Sequence, residues 1–254
     1  MVKIALTDSQ GKRMASIAID RSQRTAARAA GFLYLLLMAC GVFGEYQGRG
    51  SLIVDNDPAK TAAHIVDHLL LFRLGILSDL TAFAGDVAMA VALYVLLRPI
   101  SKHLALLAAF WRIAEVAVLG TITLNSFTMM LLLTDARYAT VFSAQQLQSL
   151  VWLFNDTHDA GYNIGLIFLS LGCIVFSWLF FKSRYIPRLL AGFGLLAYVA
   201  MLIGTVAAIV WPDNPVGGNF DMPAGVYEII IGLWLLLRGV RDPVNRHHVP
   251  ATTR

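Results

Sequence analysis

Charge is what this sequence is short of. Asp, Glu, Lys and Arg make up 14% of its 254 residues, against about 25% in an ordinary soluble domain. That excludes a solvated globule and a disordered chain alike. Cysteine is nearly absent: Cys40 and Cys173 are the two. A disulfide-rich scaffold is therefore excluded, and without a Cys-x-x-Cys pair neither redox nor thiolate-metal chemistry has a motif. Both thiols fall in apolar runs and are expected to be free and buried. What fills the chain instead is apolar, 57% hydrophobic with a mean hydropathy of +0.66, the composition of an integral membrane protein. The net charge of +4 would suit nucleic acid only if the basic residues clustered. They are spread over short loops, so no nucleic-acid partner is expected, and the lipid bilayer is.

Crossing a hydrocarbon core of about 30 Å takes an apolar run of about 18 residues or more. Six runs are candidates: about 29–46, 70–97, 104–133, 160–181, 189–211, and a shorter one at about 222–237. Backbone groups cannot go unpaired in lipid, so these are expected to be helices. Period-two alternation is missing, which argues against a barrel. The junctions carry breakers: Arg98-Pro99, Tyr185-Ile186-Pro187-Arg188, and Trp211-Pro212 with Gly217-Gly218. Two short surface helices are predicted between spans. One follows Asp57-Pro58 and runs to His68, with Asp57 as N-cap; the other runs from Ser143 to Phe154, opened by a Ser-Ala-Gln-Gln capping box. The expected fold is an all-α polytopic bundle of six membrane-spanning helices plus two surface helices. Residues 1–26 form an N-terminal tail, 27–240 the transmembrane domain, and 241–254 a C-terminal tail.

Lys and Arg gather in the N-terminal tail, the Arg98–Lys102 and Lys182–Arg188 connections and the C-terminal tail. The other side carries Arg49, Lys60, Arg73 and Arg137, together with most of the acids. The positive-inside bias puts both termini in the cytoplasm of a bacterial inner (plasma) membrane. A cleavable signal peptide is not expected, because no Ala-x-Ala site follows the first run and five more spans do. The Leu37-Met38-Ala39-Cys40 stretch lies behind too long a charged region for a lipoprotein signal.

Ionisable groups inside spans are costly, about 2.5–3.5 kcal/mol each at the centre on insertion scales, so they face the bundle interior and pair. At ~1.5 Å of rise per residue, Asp86, Arg112, Glu115 and Glu228 all lie roughly 13–18 Å from a span end. They form one predicted buried polar layer, in which Arg112 and Glu115 share a helix face at i, i+3. One Arg against three acids leaves negative charge in excess. The functional reading is a proton, cation or polar-substrate site; the alternative is an Arg–carboxylate network that fixes helix register. A second, outer polar cluster is expected from Glu45, Arg73, Asp79, Asp156, His158, Asp159 and Asn163. In the fourth span Asp156, Asp159, Asn163, Ser170 and Ser177 recur as one helical stripe.

No nucleophile elbow, phosphate loop, dinucleotide fingerprint or HExxH stands out. The histidines lie at surfaces or, like His103, His247 and His248, in loop and tail positions, which argues against haem. No cofactor is expected and no metal site is assigned. His64 and His68, at i, i+4, with His158 are the candidates a metal would use.

Several stretches resemble a bacterial family of uncharacterised multi-pass membrane proteins, domain of unknown function 4386. They are Arg28 to Glu45, the Asp57, Ala63, Ile65 and Phe72-Arg73 segment, Ala92 to Ile100, Phe110 to Val118, Gly161 to Val199, and Tyr227 to Val240. The resemblance covers about residues 25–240 and implies a six- or seven-helix membrane protein with no established activity. Arg28, Glu45, Arg73, Arg112, Glu115 and Glu228 match its motif positions. Where the family commonly has Gly-Val after the Ile-Pro-Arg stretch, this chain has Leu190-Ala191-Gly192-Phe193, a packing variation.

The leading expectation is a bundle that binds or transports a small molecule or ion, and it leans away from an enzyme. Six helices without a repeat is small for a secondary transporter, so a homodimer is one expected assembly. Ala224, Gly225 and Gly232 would allow close helix contact. One alternative is a membrane-embedded metal-dependent enzyme acting on a lipid or apolar substrate. Another is a non-catalytic partner or sensor subunit.

Overall fold

The computed structural model describes residues 19–211 and 220–241, and every regular element among them is helical. Eight α-helices follow in order: α1 (Arg21–Val42), α2 (Pro58–Asp67), α3 (Leu69–Leu97), α4 (Lys102–Thr134), α5 (Ala136–Val141), α6 (Ala144–Ser183), α7 (Arg188–Val210) and α8 (Met222–Leu237). After α1 the chain stays helical through a π-turn at Phe43–Arg49 and a 3₁₀ turn at Gly50–Leu52. Five segments are long and apolar enough to cross a membrane: Arg21–Leu52, α3, α4, α6 and α7. The sixth, α8, has 16 residues and is shorter. Large apolar side chains stand exposed around the bundle, among them Leu77, Val91, Phe110, Leu124, Leu196 and Ile203. A belt of that kind is unusual on a water-facing protein and is what a lipid-facing surface requires.

Local sequence explains the helix starts. The Asp20 side chain accepts from Gln23 N–H at 2.7 Å while the Gln23 side chain accepts from Asp20 N–H at 3.1 Å, a reciprocal cap. Asp57 caps α2 with Pro58 at its first position, as expected, and the Lys60 amide holds the Asp57 carboxyl below its usual range. Ser143 and Gln146 form the expected capping box. The helix they open, however, is not a separate surface helix ending at Phe154. It runs unbroken for 40 residues into the fourth span, roughly 60 Å. No Pro or Gly interrupts the sequence between Ser143 and Ala160, so nothing stops the helix. The short α5, capped by Asp135, occupies the connection before it.

The long helices pack as a closed ring in chain order. α1 lies against α3, α3 against α4, α4 against α6, α6 against α7, α7 against α8, and α8 returns to α1. Glycines set the tightest seams. A side chain at Gly31 of α1 would run into the backbone of α8, 2.8 Å from the Gly232 carbonyl oxygen. A side chain at Gly194 would overlap the Tyr227 ring, and one at Gly204 would overlap Phe220. The close contact expected of Gly232 is thus made within the chain, on α1. The apolar core divides in two. A large cluster that includes Leu96, Phe176, Tyr185, Tyr198 and Leu235 fills one half, and a small one around Ile65, Phe72, Met129 and Val151 fills the other. Both described chain ends sit in the first half, where Gln23 Nε2 donates to the Leu96 carbonyl and Arg241 N–H donates to the Tyr185 carbonyl. The Arg98 and Arg188 connections share that end. Between the two apolar clusters lies the polar interior.

Candidate functional site: one cavity joining two polar clusters

Inside the ring is a cavity of about 390 Å³, in the range of small-molecule sites. Every helix of the ring contributes to its wall. Its lining includes Asp86, Arg112, Glu115 and Glu228 at one level and Glu45, Asp79 and His158 at the other. The two clusters read separately from the sequence are therefore two levels of one chamber.

In the deep level Arg112 of α4 is the hub. Its Nη2 pairs with Asp86 of α3, and its Nη1 lies 2.6 Å from Glu115 Oε2 on its own helix. The second contact is an ion pair without hydrogen-bond alignment, since neither atom has a hydrogen-bond partner among the described residues. Arg112 and Glu115 are 6% and 3% exposed, values that only an internal pairing makes tolerable. Glu228 faces the same cavity from α8 but is held differently: the Tyr198 hydroxyl of α7 donates to its Oε1 at 2.8 Å. Three of the four expected residues thus meet, and the fourth stands across the chamber on a neutral donor.

The outer level is organised by Arg49, which the sequence reading placed only as a topology charge. Its guanidinium donates to both Glu45 carboxylate oxygens, at 2.6 and 3.4 Å, to Asn155 Oδ1 at 2.8 Å and to Asp159 Oδ1 at 3.0 Å. His158 Nε2 lies 3.5 Å from Glu45 Oε1. His158 is 4% exposed, and neither ring nitrogen has a hydrogen-bond partner among the described residues. Asp79 packs so closely on Gly44 that a side chain there would overlap its carboxylate. It has no hydrogen-bond or ion-pair partner among the described residues.

The remaining expected residues separate from this group. Arg73 is exposed and turns to Met130, donating to its sulfur at 3.5 Å, so it is not the cation beside Glu45. Asp156 is exposed, Asn163 donates to the Asp159 carbonyl at 3.2 Å, and Ser170 and Ser177 are buried. The stripe on α6 therefore passes through several environments. Arg28 is exposed near the start of α1, far along the chain from the cavity rim at Glu45. His64 sits on α2 and His68 caps its end, with ring centroids 6.5 Å apart, and they join no metal-like group among the described residues. His158 does, but with Glu45 and Asp159, whose ligand atoms lie within 4.8 Å of one another. Arg49 already bridges both of those carboxylates, so the set is closed by a guanidinium. Cys40 and Cys173 are free, and Cys173 lines the cavity. His247 and His248 lie outside the described residues.

Pieces that carried the resemblance reach this chamber along Arg28 to Glu45 on α1 and the π-turn, Phe110 to Val118 on α4, Gly161 to Val199 on α6 and α7, and Tyr227 to Val240 from α8, whereas Asp57, Ala63 and Ile65 lie at α2, outside its wall. A family model matches residues 29–239. The chain belongs to the family described as Domain of unknown function (DUF4386). A relative from Archaeoglobus fulgidus, itself described as an uncharacterized protein, is 27% identical over 158 residues, covering 61% of this chain and 76% of the relative. No solved structure matches the chain. The family match spans the whole ring, from α1 to α8, and with it both levels of the chamber.

Sequence reasoning missed Arg49, Asn155 and Tyr198. Glu45 and Arg49 at i, i+4 were a usable signal for the first. Asn155 and Tyr198 gave none, because their partners are 106 and 30 residues away in sequence.

Proposed function

We propose that this chain binds a small molecule or ion in the central chamber and moves it across, or releases it within, the membrane. The observation that carries the reading is the chamber itself. It is a cavity of small-molecule size with apolar walls and a few converging polar groups, the usual constitution of a ligand site. In this reading α8 spans together with the five longer helices, giving six. Its 16 residues reach roughly 24 Å, so it crosses a locally thinned bilayer or one braced by α1. The basic connections face the cytoplasm, with 1–26 and 241–254 as tails and 27–240 as the membrane domain of an inner-membrane protein. A homodimer fits the small helix count.

A metal-dependent enzyme is the second reading. It draws on Glu45, His158 and Asp159, and requires Arg49 to give up two carboxylates to the metal.

The test is solvent access. On a background lacking Cys40 and Cys173, single cysteines replace Phe83 and Ile122 in the cavity wall and Leu179 in the packed core. N-ethylmaleimide should modify the first two and spare the third. If all three resist modification, the chamber is closed and the binding reading fails.

A further inference from the structure

We propose that the chamber takes a lipophilic monovalent cation, a protonated or quaternary amine with apolar arms, and that the cation enters sideways between α1 and α8. The inference rests on the chamber being a binding site, and it names the ligand and the route.

The charge argument comes first. Arg112 is the cationic side chain of the lining, and it is committed to Asp86 and Glu115. Arg49 stands behind the wall, committed to Glu45 and Asp159. After these pairings three lining carboxylates have no ion-pair partner among the described residues: Asp79, the exposed Asp221 at the rim, and Glu228 with its single tyrosine hydroxyl. An anion would meet these carboxylates, with the nearest guanidiniums already engaged by other acids. A cation would supply the charge that the surrounding pairs leave missing, in a medium where unpaired charge is expensive.

The walls then select among cations. Leu37, Met38, Met89, Leu119 and Ile122 line the cavity with the carboxylates, and Tyr34, Phe83 and Tyr162 add aromatic rings to the wall. A bare metal ion would have to compete with Arg49 and Arg112 for the oxygens of Glu45, Asp86 and Glu115. An organic cation would bury its arms against the aliphatic wall and its charge against rings and carboxylates. The ring of His158, buried and lining the same space with its Nε2 3.5 Å from Glu45 Oε1, adds a polar edge at the outer level.

The route follows from the α1–α8 seam. The helices touch backbone to backbone at Gly31 and Gly232. Further along they part. A side chain at Gly225 would make one ordinary contact, with the end of the flexible Met38 side chain at 3.7 Å, and one at Gly41 would meet nothing within 4 Å. The rim there is exposed and mostly apolar, formed by Val42, Tyr46, Met222, Val226 and Ile229, with the exposed Asp221 at its end. A gap walled by such side chains faces hydrocarbon, which is where a lipophilic cation partitions.

The probe is tetraphenylphosphonium, with tetraphenylborate as an anion of the same shape. Equilibrium dialysis against the detergent-purified full chain should show one saturable phosphonium site that the borate does not occupy. Asp79→Asn and Glu228→Gln should each weaken it by about tenfold or more, since each removes a counter-charge in a low dielectric. Asp79→Asn breaks no internal bond and should melt like the wild type, so its result reads binding rather than folding. Gly225→Trp should slow uptake by filling the seam. Equal binding of the borate, or unchanged phosphonium binding by Asp79→Asn, overturns the proposal. If the cavity cysteines react with maleimide but no saturable phosphonium site exists, the ligand class is wrong while the chamber stands. If the cysteines resist modification, both readings fall.

Discussion

Gly31 of α1 and Gly232 of α8 meet backbone to backbone, and this contact closes the helix ring. A methyl group at Gly31 would lie 2.8 Å from the Gly232 carbonyl oxygen and 2.9 Å from the Leu235 carbonyl carbon, too near for any rotamer to relieve. Gly31→Ala should therefore force the two helices apart and cost about 1–3 kcal/mol, as overpacking does. Gly41→Ala, ten residues along the same helix, meets nothing. It should leave stability unchanged or raise it by about 0.5–1 kcal/mol through helix propensity. Thermal unfolding of the two variants side by side checks this; equal effects would mean the crossing is not where the structure has it.

Arg112 should be worth more as a partner than as a charge. Arg112→Met leaves Asp86 and Glu115 buried without compensation, at a cost of about 3–5 kcal/mol. Adding Asp86→Asn and Glu115→Gln removes both orphaned charges, so the triple variant should be more stable than the single one. Unfolding in mixed micelles measures the order. If the single variant is the more stable, the layer is not an ion-pair network.

The outer cluster should behave as a unit hung on Arg49. Arg49→Gln leaves Glu45 and Asp159 without their cation, while Glu45→Gln leaves Arg49 still bonded to Asn155 and Asp159. The first change should therefore be the more destabilising. It also opens the Glu45, His158 and Asp159 set, so the Arg49→Gln protein should retain more zinc than the wild type after dialysis. Metal analysis of both proteins would show whether the guanidinium is what keeps a metal out.

Acid should loosen α5. Hydrogen bonds from the Arg137 side chain and amide hold the Asp135 carboxyl down at about 2. Its folded value lies below its unfolded one, so its contribution is complete above the ordinary carboxylate range. That contribution is lost as pH falls from about 4 toward 2. Amide exchange across 136–141 should accelerate in that window and not between pH 5 and 8. Asp135→Asn should remove the pH step.

The unbroken α6 makes a separable claim. Ser143→Ala should cost about 1 kcal/mol of local helix stability through the lost cap. Faster exchange should appear near 144–154 and should not reach the packed stretch around Leu169 and Phe176, because fraying dies out within the first turns.

What was legible in the sequence was whatever is decided along one helix. Apolar length marked the spans, the Asp57-Pro58 and Ser143–Gln146 pairs marked two helix starts, and the cost of bare charge in lipid marked Asp86, Arg112, Glu115 and Glu228 as inward-facing. Those signals depend on hydropathy and local hydrogen bonding, which neighbouring residues settle among themselves. The tertiary structure decided who faces whom. It joined Arg49 to Asn155 and Asp159, gave Glu228 to Tyr198, sent Arg73 to Met130, and merged two clusters into one chamber. Those outcomes depend on how far each helix is rotated about its axis. Contacts between glycines on different helices set that rotation, and so does the π-turn at Phe43–Arg49. By adding a residue to each turn, it carries Glu45 and Arg49 out of the phase that α1 would otherwise impose.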